Sequence, residues 1–184
     1  MGFFDSIFGR TKLPPGKTDE LFALPTAALD IEVKLNSPYG QKAAIVLRAV
    51  DNSAYDAISK DIHDLLAIGG KDFTVKVTEH DDTMGFHWII FDGPNLDDAV
   101  NGLHMTADLI KQAGFADSLL AAMFRFADWY LIYSYRRATF YPFVPTGRSS
   151  RSESREFRIR QTLVGVLPME KDPERWYPLW DPPI

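Results

Sequence analysis

The chain has no cysteine. That excludes thiolate zinc sites, thiol nucleophiles and redox pairs together, and it fits a reducing compartment. It has no apolar run approaching the ~20 residues that span a bilayer. It has no excess of positive charge. The formal net charge is -5, so bulk electrostatics repel nucleic acid, and binding it would need a local basic patch. No G-x-S-x-G, P-loop or G-x-G-x-x-G stretch occurs. The opening MGFFDSIFGR lacks the basic region, long apolar stretch and small-residue cleavage site of a secretory signal.

What is present is globular in kind. The 184 residues are 46% hydrophobic and 24% charged, which suits one domain of ordinary size with appendages. Such a chain buries roughly two-thirds of its unfolded surface and needs no staple.

Phe3, Phe4, Ile7 and Phe8 share one side of a short helical stretch, and the Pro14-Pro15-Gly16 region after it reads as a linker. This predicts an amphipathic segment and linker over 1–17, one domain over 18–171 and a tail over 172–184. Thr18 is positioned to cap a short helix from Asp19 to Ala23, which Pro25 is expected to end. Ile31, Val33 and Leu35 alternate with charged residues and predict a strand. With a second strand over 43–50 it would form a hairpin.

Ser53 and Asp56 open a helix whose stripe is Tyr55, Ile58, Ile62, Leu65 and Leu66, with Gly69-Gly70 as its C-terminal cap. Phe73, Val75 and Val77 predict a strand, residues 80–85 a turn, and 86–91 its antiparallel partner. Asn95 caps a helix over 96–113 that Gly114 ends. Residues 119–126 and 129–136 read as strands joined at Ala127-Asp128, and 139–144 as a further strand. Residues 147–154 read as a polar, basic loop and 156–166 as a helix. The tail, with four prolines and three aromatics from Asp172, reads as an extended wrap.

From Ala43 the order is strand, helix, strand, strand, helix, strand. That is the split βαβ, or ferredoxin-like, order. The expected fold is α+β: a mainly antiparallel sheet, two helices across one face, and extra strands. The competing arrangement is that of type III secretion chaperones.

Chemistry-bearing residues are few. The four histidines are His63, His80, His87 and His104, and none stands four residues from another. His80 and His87 flank one turn with Asp81 and Asp82 between them, a donor set that suits zinc or nickel. A small ligand- or metal-binding domain or hydrolase built on that turn is the alternative function. Turns collect polar residues anyway, and no catalytic residue, metal site or cofactor site is assigned.

Arg136, Arg137, Arg148, Arg151, Arg155, Arg158 and Arg160 form the basic concentration, with Tyr133, Tyr135, Phe140 and Tyr141 close by. These ingredients suit anionic lipid or an acidic partner better than nucleic acid, given the acidic balance. The face of Phe3, Phe4, Ile7 and Phe8 suits a membrane interface, its own domain or a sister subunit in a homodimer. Trp176, Tyr177 and Trp180 suit a partner, although such tails more often pack on their own sheet. The candidate membrane or partner contacts are therefore Phe3, Phe4, Ile7, Phe8, Arg136, Arg137, Arg148, Arg151, Trp176 and Trp180.

Five stretches carry a family resemblance. They are GFFDSIFGRTK at the start, LFALPTAAL after it, DGPNLDDAVNGLH from Asp92 to His104, YRRATFYPFVP from Tyr135 to Pro145, and RWYPLWD from Arg175 to Asp181. On them the chain resembles the PspA-associated protein PspAB family. The resemblance implies a prokaryotic, cytosolic protein, and the amphipathic start is compatible with a place at the inner face of the membrane. It implies association with PspA, the membrane-stress coat protein, and with the membrane protease HtpX. It brings no enzymatic activity and no catalytic residue.

Overall fold

A computed structural model describes residues 19–48, 53–68 and 75–184. The expectations for Phe3, Phe4, Ile7, Phe8, the linker, Thr18, Gly69-Gly70 and Phe73 lie outside those residues, as do those for the side chains of Ser53, Ile58, Leu65 and Leu66.

A 3-10 turn, Asp19–Phe22, runs directly into helix α1, Ala23–Leu35. Here the structure corrects two readings. Pro25 does not end a helix, because it sits in the first turn, where backbone N–H groups have no intrahelical acceptor to lose. Ile31 to Leu35 is helical, so there is no hairpin with the following strand. Leu24, Ala27 and Ile31 recur at helical spacing and are all buried, while Val33 is 71% exposed. The helical stripe extends further along the chain than the three-residue alternation, and its burial wins. Asn36, with φ of 49°, ends α1 in the left-handed region.

Strand β1, Tyr39–Arg48, then enters the sheet. Helix α2, Ser53–Ile68, follows, then β2, Lys76–Asp81, and β3, Phe86–Asp92. Helix α3, Leu96–Gln112, begins at Asn95, whose side chain accepts the Asp97 N–H. Strands β4, Leu119–Phe126, β5, Trp129–Ser134, and β6, Thr139–Phe143, complete one sheet. A small ribbon of β7, Pro145–Gly147, and β8, Ser150–Arg151, occupies part of the expected basic loop. Helix α4, Glu153–Leu163, starts three residues before the expected Glu156.

The fold is α+β, with a six-stranded antiparallel sheet ordered β2-β3-β1-β4-β5-β6. The element order expected from Ala43 is present. Both faces are covered. Ala43, Ile45 and Leu47 of β1 point into a core shared with α1, α2, α3 and α4. Four helices therefore contribute to this face, where two were expected. Ala44 and Val46 point the other way, into a core closed by Trp176, Leu179 and Ile184 of the tail. A strand covered on both sides reads as a continuous apolar run, which is why Ala43–Leu47 does not alternate.

The tail is anchored by hydrogen bonds as well as by packing. The Tyr141 hydroxyl donates to the Tyr177 carbonyl at 3.0 Å and the Tyr130 hydroxyl to the Ile184 carbonyl at 3.2 Å. Among the described residues, no helix is long and apolar enough to cross a membrane.

Candidate contact site

The first turn of α4 carries Glu153 and Glu156, where the positive end of the helix favours carboxylates. Glu156 is only 1% exposed. A carboxylate so deeply buried must be paired, and it is. It accepts the Val144 N–H at 2.8 Å and the Arg151 Nε at 2.9 and 2.8 Å, with Arg151 Nη2 at 2.8 Å. Arg151 Nη1 donates to the Trp176 carbonyl at 2.6 Å. The same guanidinium lies 5.4 Å from the Phe143 ring centre, and Trp180 meets that ring edge-on at 5.2 Å. Arg151, Trp176 and Trp180, singled out separately in the sequence, thus form one assembly at the junction of α4 and the tail.

That junction encloses a cavity of about 280 Å³ lined by Arg151, Glu153, Glu156, Phe157, Pro173, Glu174 and Trp176. Phe157 and Trp176 pack at 5.2 Å between ring centres. Phe157 is 48% exposed, whereas Trp176 is buried and its indole N–H has no partner.

The remaining arginines are dispersed. Arg155 makes a two-pronged contact with Asp128 at 2.8 and 2.9 Å, and that bond holds the Asp128 carboxyl below its ordinary value. Arg160 donates to the Glu170 carbonyl at 2.9 Å, and Arg137 lies 3.9 Å from the Glu170 carboxylate. Arg136 is half-buried after β5, and Arg148 is exposed between β7 and β8. Arg155 and Arg158 line a second cavity of about 210 Å³ with Lys34, Leu35, Ser37, Trp129 and Ile159. The basic stretch of sequence is therefore not one basic surface, because much of its charge is met by acids and carbonyls from other segments.

The histidine turn resolves differently from its sequence spacing. His80 pairs with Trp88 and His87 with Asp81 across β2 and β3. Side chains alternate along a strand, so His80 and His87 project to opposite faces. His87 instead meets acids on the helical side. Its Nδ1 is 2.7 Å from Asp81 Oδ1 and its Nε2 is 3.1 Å from Glu79 Oε2. Glu79 also receives the Ser59 hydroxyl at 2.5 Å and lies 3.1 Å from His63 Nε2, both from α2.

Burial pulls the His87 imidazole down, but the Glu79 and Asp81 carboxylates outweigh it and hold the ring above its ordinary value. The His87 ring in turn draws the Glu79 carboxyl down to about 2, against the effect of burial. Chemically the cluster is a charged clamp between α2 and the sheet edge. Among the described residues, no three His, Asp or Glu side chains converge as a metal site.

Sequence reasoning passed over Glu79 and Glu156. The signal for Glu79 was its register. Val75, Val77 and Glu79 share one side of the edge strand, so an acid stands where an inward apolar residue is expected. Nothing local marks Glu156, whose partners are the Val144 N–H just after β6 and the Arg151 guanidinium of β8.

A search of curated proteins returned no match to this chain, and a search of solved structures returned none. A family model described as PspA associated protein B does match, over residues 1–184, and on that match the chain belongs to the PspAB family.

Proposed function

We propose that this protein is a non-enzymatic accessory component of the prokaryotic PspA membrane-stress system, working through protein contacts on the cytoplasmic side near the membrane. The observation that carries the reading is the whole-length family match, whose description names an association with PspA. A surface cavity with an exposed aromatic wall at the α4–tail junction supports a contact role. PspA is the first partner and HtpX the second. Segment 1–17 serves as the membrane-facing element through Phe3, Phe4, Ile7 and Phe8, tethered to the 18–171 domain. Of the contact candidates, Arg151 and Trp176 line the α4–tail cavity and Trp180 packs beside it on Phe143; Arg136, Arg137 and Arg148 are separate contact points elsewhere on the domain, and a homodimer is compatible with these contacts.

The test is co-purification with PspA and with HtpX, together with sedimentation on anionic liposomes, for the full chain and for a chain lacking residues 1–10. PspA is expected to co-purify with both forms, and deletion is expected to lower recovery on liposomes. Recovery of neither PspA nor HtpX, with liposome binding unaffected by the deletion, refutes the reading.

A further inference from the structure

We propose that the cavity at the α4–tail junction is a receptor for an arginine or lysine side chain presented by an extended segment of a partner protein. The proposal rests on the contact-protein reading and supplies the partner chemistry that the reading lacks.

Three observations converge on that chemistry. The first is charge. Glu153 and Glu174 line the cavity, are exposed, and have no ion-pair partner among the described residues. Arg151, the cation in the lining, is already neutralised by Glu156 at 2.8 Å. The cavity therefore presents two uncompensated carboxylates to an incoming cation.

The second is the wall. Phe157, 48% exposed, offers its ring beside those carboxylates and is braced from beneath by the buried Trp176, 5.2 Å away at 48°. A cation carried on an apolar stem suits both surfaces at once. The stem lies on the Phe157 ring, and the charge meets that ring's quadrupole and the carboxylates.

The third is the orphaned donor. Trp176 is 4% exposed and lines the cavity, yet its indole N–H is buried without an acceptor. A buried N–H left unmade is costly, so a small shift of the Trp176 ring toward an arriving acceptor recovers that bond. A peptide supplies that acceptor as a main-chain carbonyl beside its basic side chain, whereas a bare inorganic cation does not. The volume, about 280 Å³, is on the scale of one long side chain rather than a folded element.

The probe is a doubly capped Gly-Arg-Gly-Arg-Gly peptide, titrated into the full-length protein and followed through the indole N–H resonances, with Trp176 assigned from a Trp176→Phe sample. The expected result is a saturable shift of the Trp176 indole signal. Replacing both arginines by citrulline, which keeps the shape and removes the charge, is expected to weaken binding by about tenfold, the scale of a cation on an aromatic wall with carboxylates beside it. Glu153→Gln with Glu174→Gln, and separately Phe157→Ala, alter exposed side chains and are expected to weaken binding by about fivefold or more while leaving the fold intact.

Equal binding of the citrulline peptide, or binding unchanged in both variants, overturns the proposal. So does a shift confined to other tryptophans. If PspA co-purifies with the parent chain while the peptide fails to bind that same chain, the accessory role survives and this receptor does not. If the peptide binds as described and PspA does not, the receptor stands and its partner is another basic protein.

Discussion

His80 and His87 flank the same turn yet sit on opposite faces of the sheet, His80 across from Trp88 and His87 across from Asp81. The consequence is electrostatic. His87 alone joins Glu79, Asp81 and His63 at the junction of α2 with the edge strand, 3.1 Å from Glu79 and 2.7 Å from Asp81.

Stability is expected to depend on pH through that clamp. Glu79 is held down to about 2, so its contribution is present above the ordinary glutamate value of 4.5 and is lost as pH falls toward 2. His87 is held above its ordinary 6.5, so its contribution is complete below 6.5 and is lost as pH rises through the raised value. The two are jointly complete between about pH 4.5 and 6.5. Urea midpoints measured from pH 4 to 9 should therefore fall on the alkaline side in the parent chain, and His87→Gln should flatten that fall. A parallel decline in both chains would remove His87 as the cause.

Glu156 is the buried acid of the α4 junction, taking Arg151 and the Val144 N–H together. Glu156→Ala leaves the Arg151 guanidinium, 17% exposed, without its counter-charge. Removing one partner of such a pair is expected to cost about 3 kcal/mol in equilibrium denaturation. Arg155→Ala breaks an exposed pair with Asp128 and should cost at most about 1 kcal/mol. Equal costs for the two would contradict the assignment of Glu156 as the buried member.

The tail closes the second face of the sheet through Trp176, Leu179 and Ile184. Leu179 is 3% exposed, so Leu179→Ala is expected to destabilise by about 2–4 kcal/mol through lost transfer energy and an unfilled cavity. Truncation after Lys171 uncovers Phe86, Trp88 and their neighbours, and should raise binding of a hydrophobic dye. A truncated chain with the parent's dye signal and melting point would show that the tail does not cover that face.

Two backbone positions should respond with opposite sign. A Cβ added at Gly40 meets the Cγ of Arg125 at 2.8 Å, close to that residue's own backbone. Gly40→Ala is expected to cost about 1–3 kcal/mol by overpacking. Ala127 holds φ of 47° in the turn between β4 and β5. Ala127→Gly relieves a left-handed residue and is expected to gain about 0.5 kcal/mol after the added chain entropy. Thermal melts of the two variants check both signs.

Where information is local, the sequence was a good guide. Asn95 before α3, Gly114 after it, the strand pair meeting at Ala127-Asp128, and the strand–helix alternation from Ala43 each depend on residues a few places apart. The error at α1 shows the limit. Ile31, Val33 and Leu35 satisfy a strand's period over five residues, Leu24, Ala27 and Ile31 satisfy a helix's period within the 13-residue segment Ala23–Leu35, and only burial of the second set against the sheet decides between them.

The candidate site was half legible. Arg151 and Trp176 could be named as residue types that make contacts, but not as neighbours. Their bond spans 25 positions, and the Arg151 guanidinium that makes it is held by a glutamate that carries no local mark.

By itself, then, the amino-acid order determined the absence of thiol chemistry, the acidic balance, the caps and periods of most elements, and the family pattern, because each of these is written in composition or in short spacings. Tertiary structure alone decided which acids are buried, which face His87 serves, and that the tail seals the sheet. Those outcomes depend on groups such as Tyr130 and Ile184, hydrogen-bonded at 3.2 Å across 54 positions, whose meeting is set by chain topology and not by any neighbouring residue.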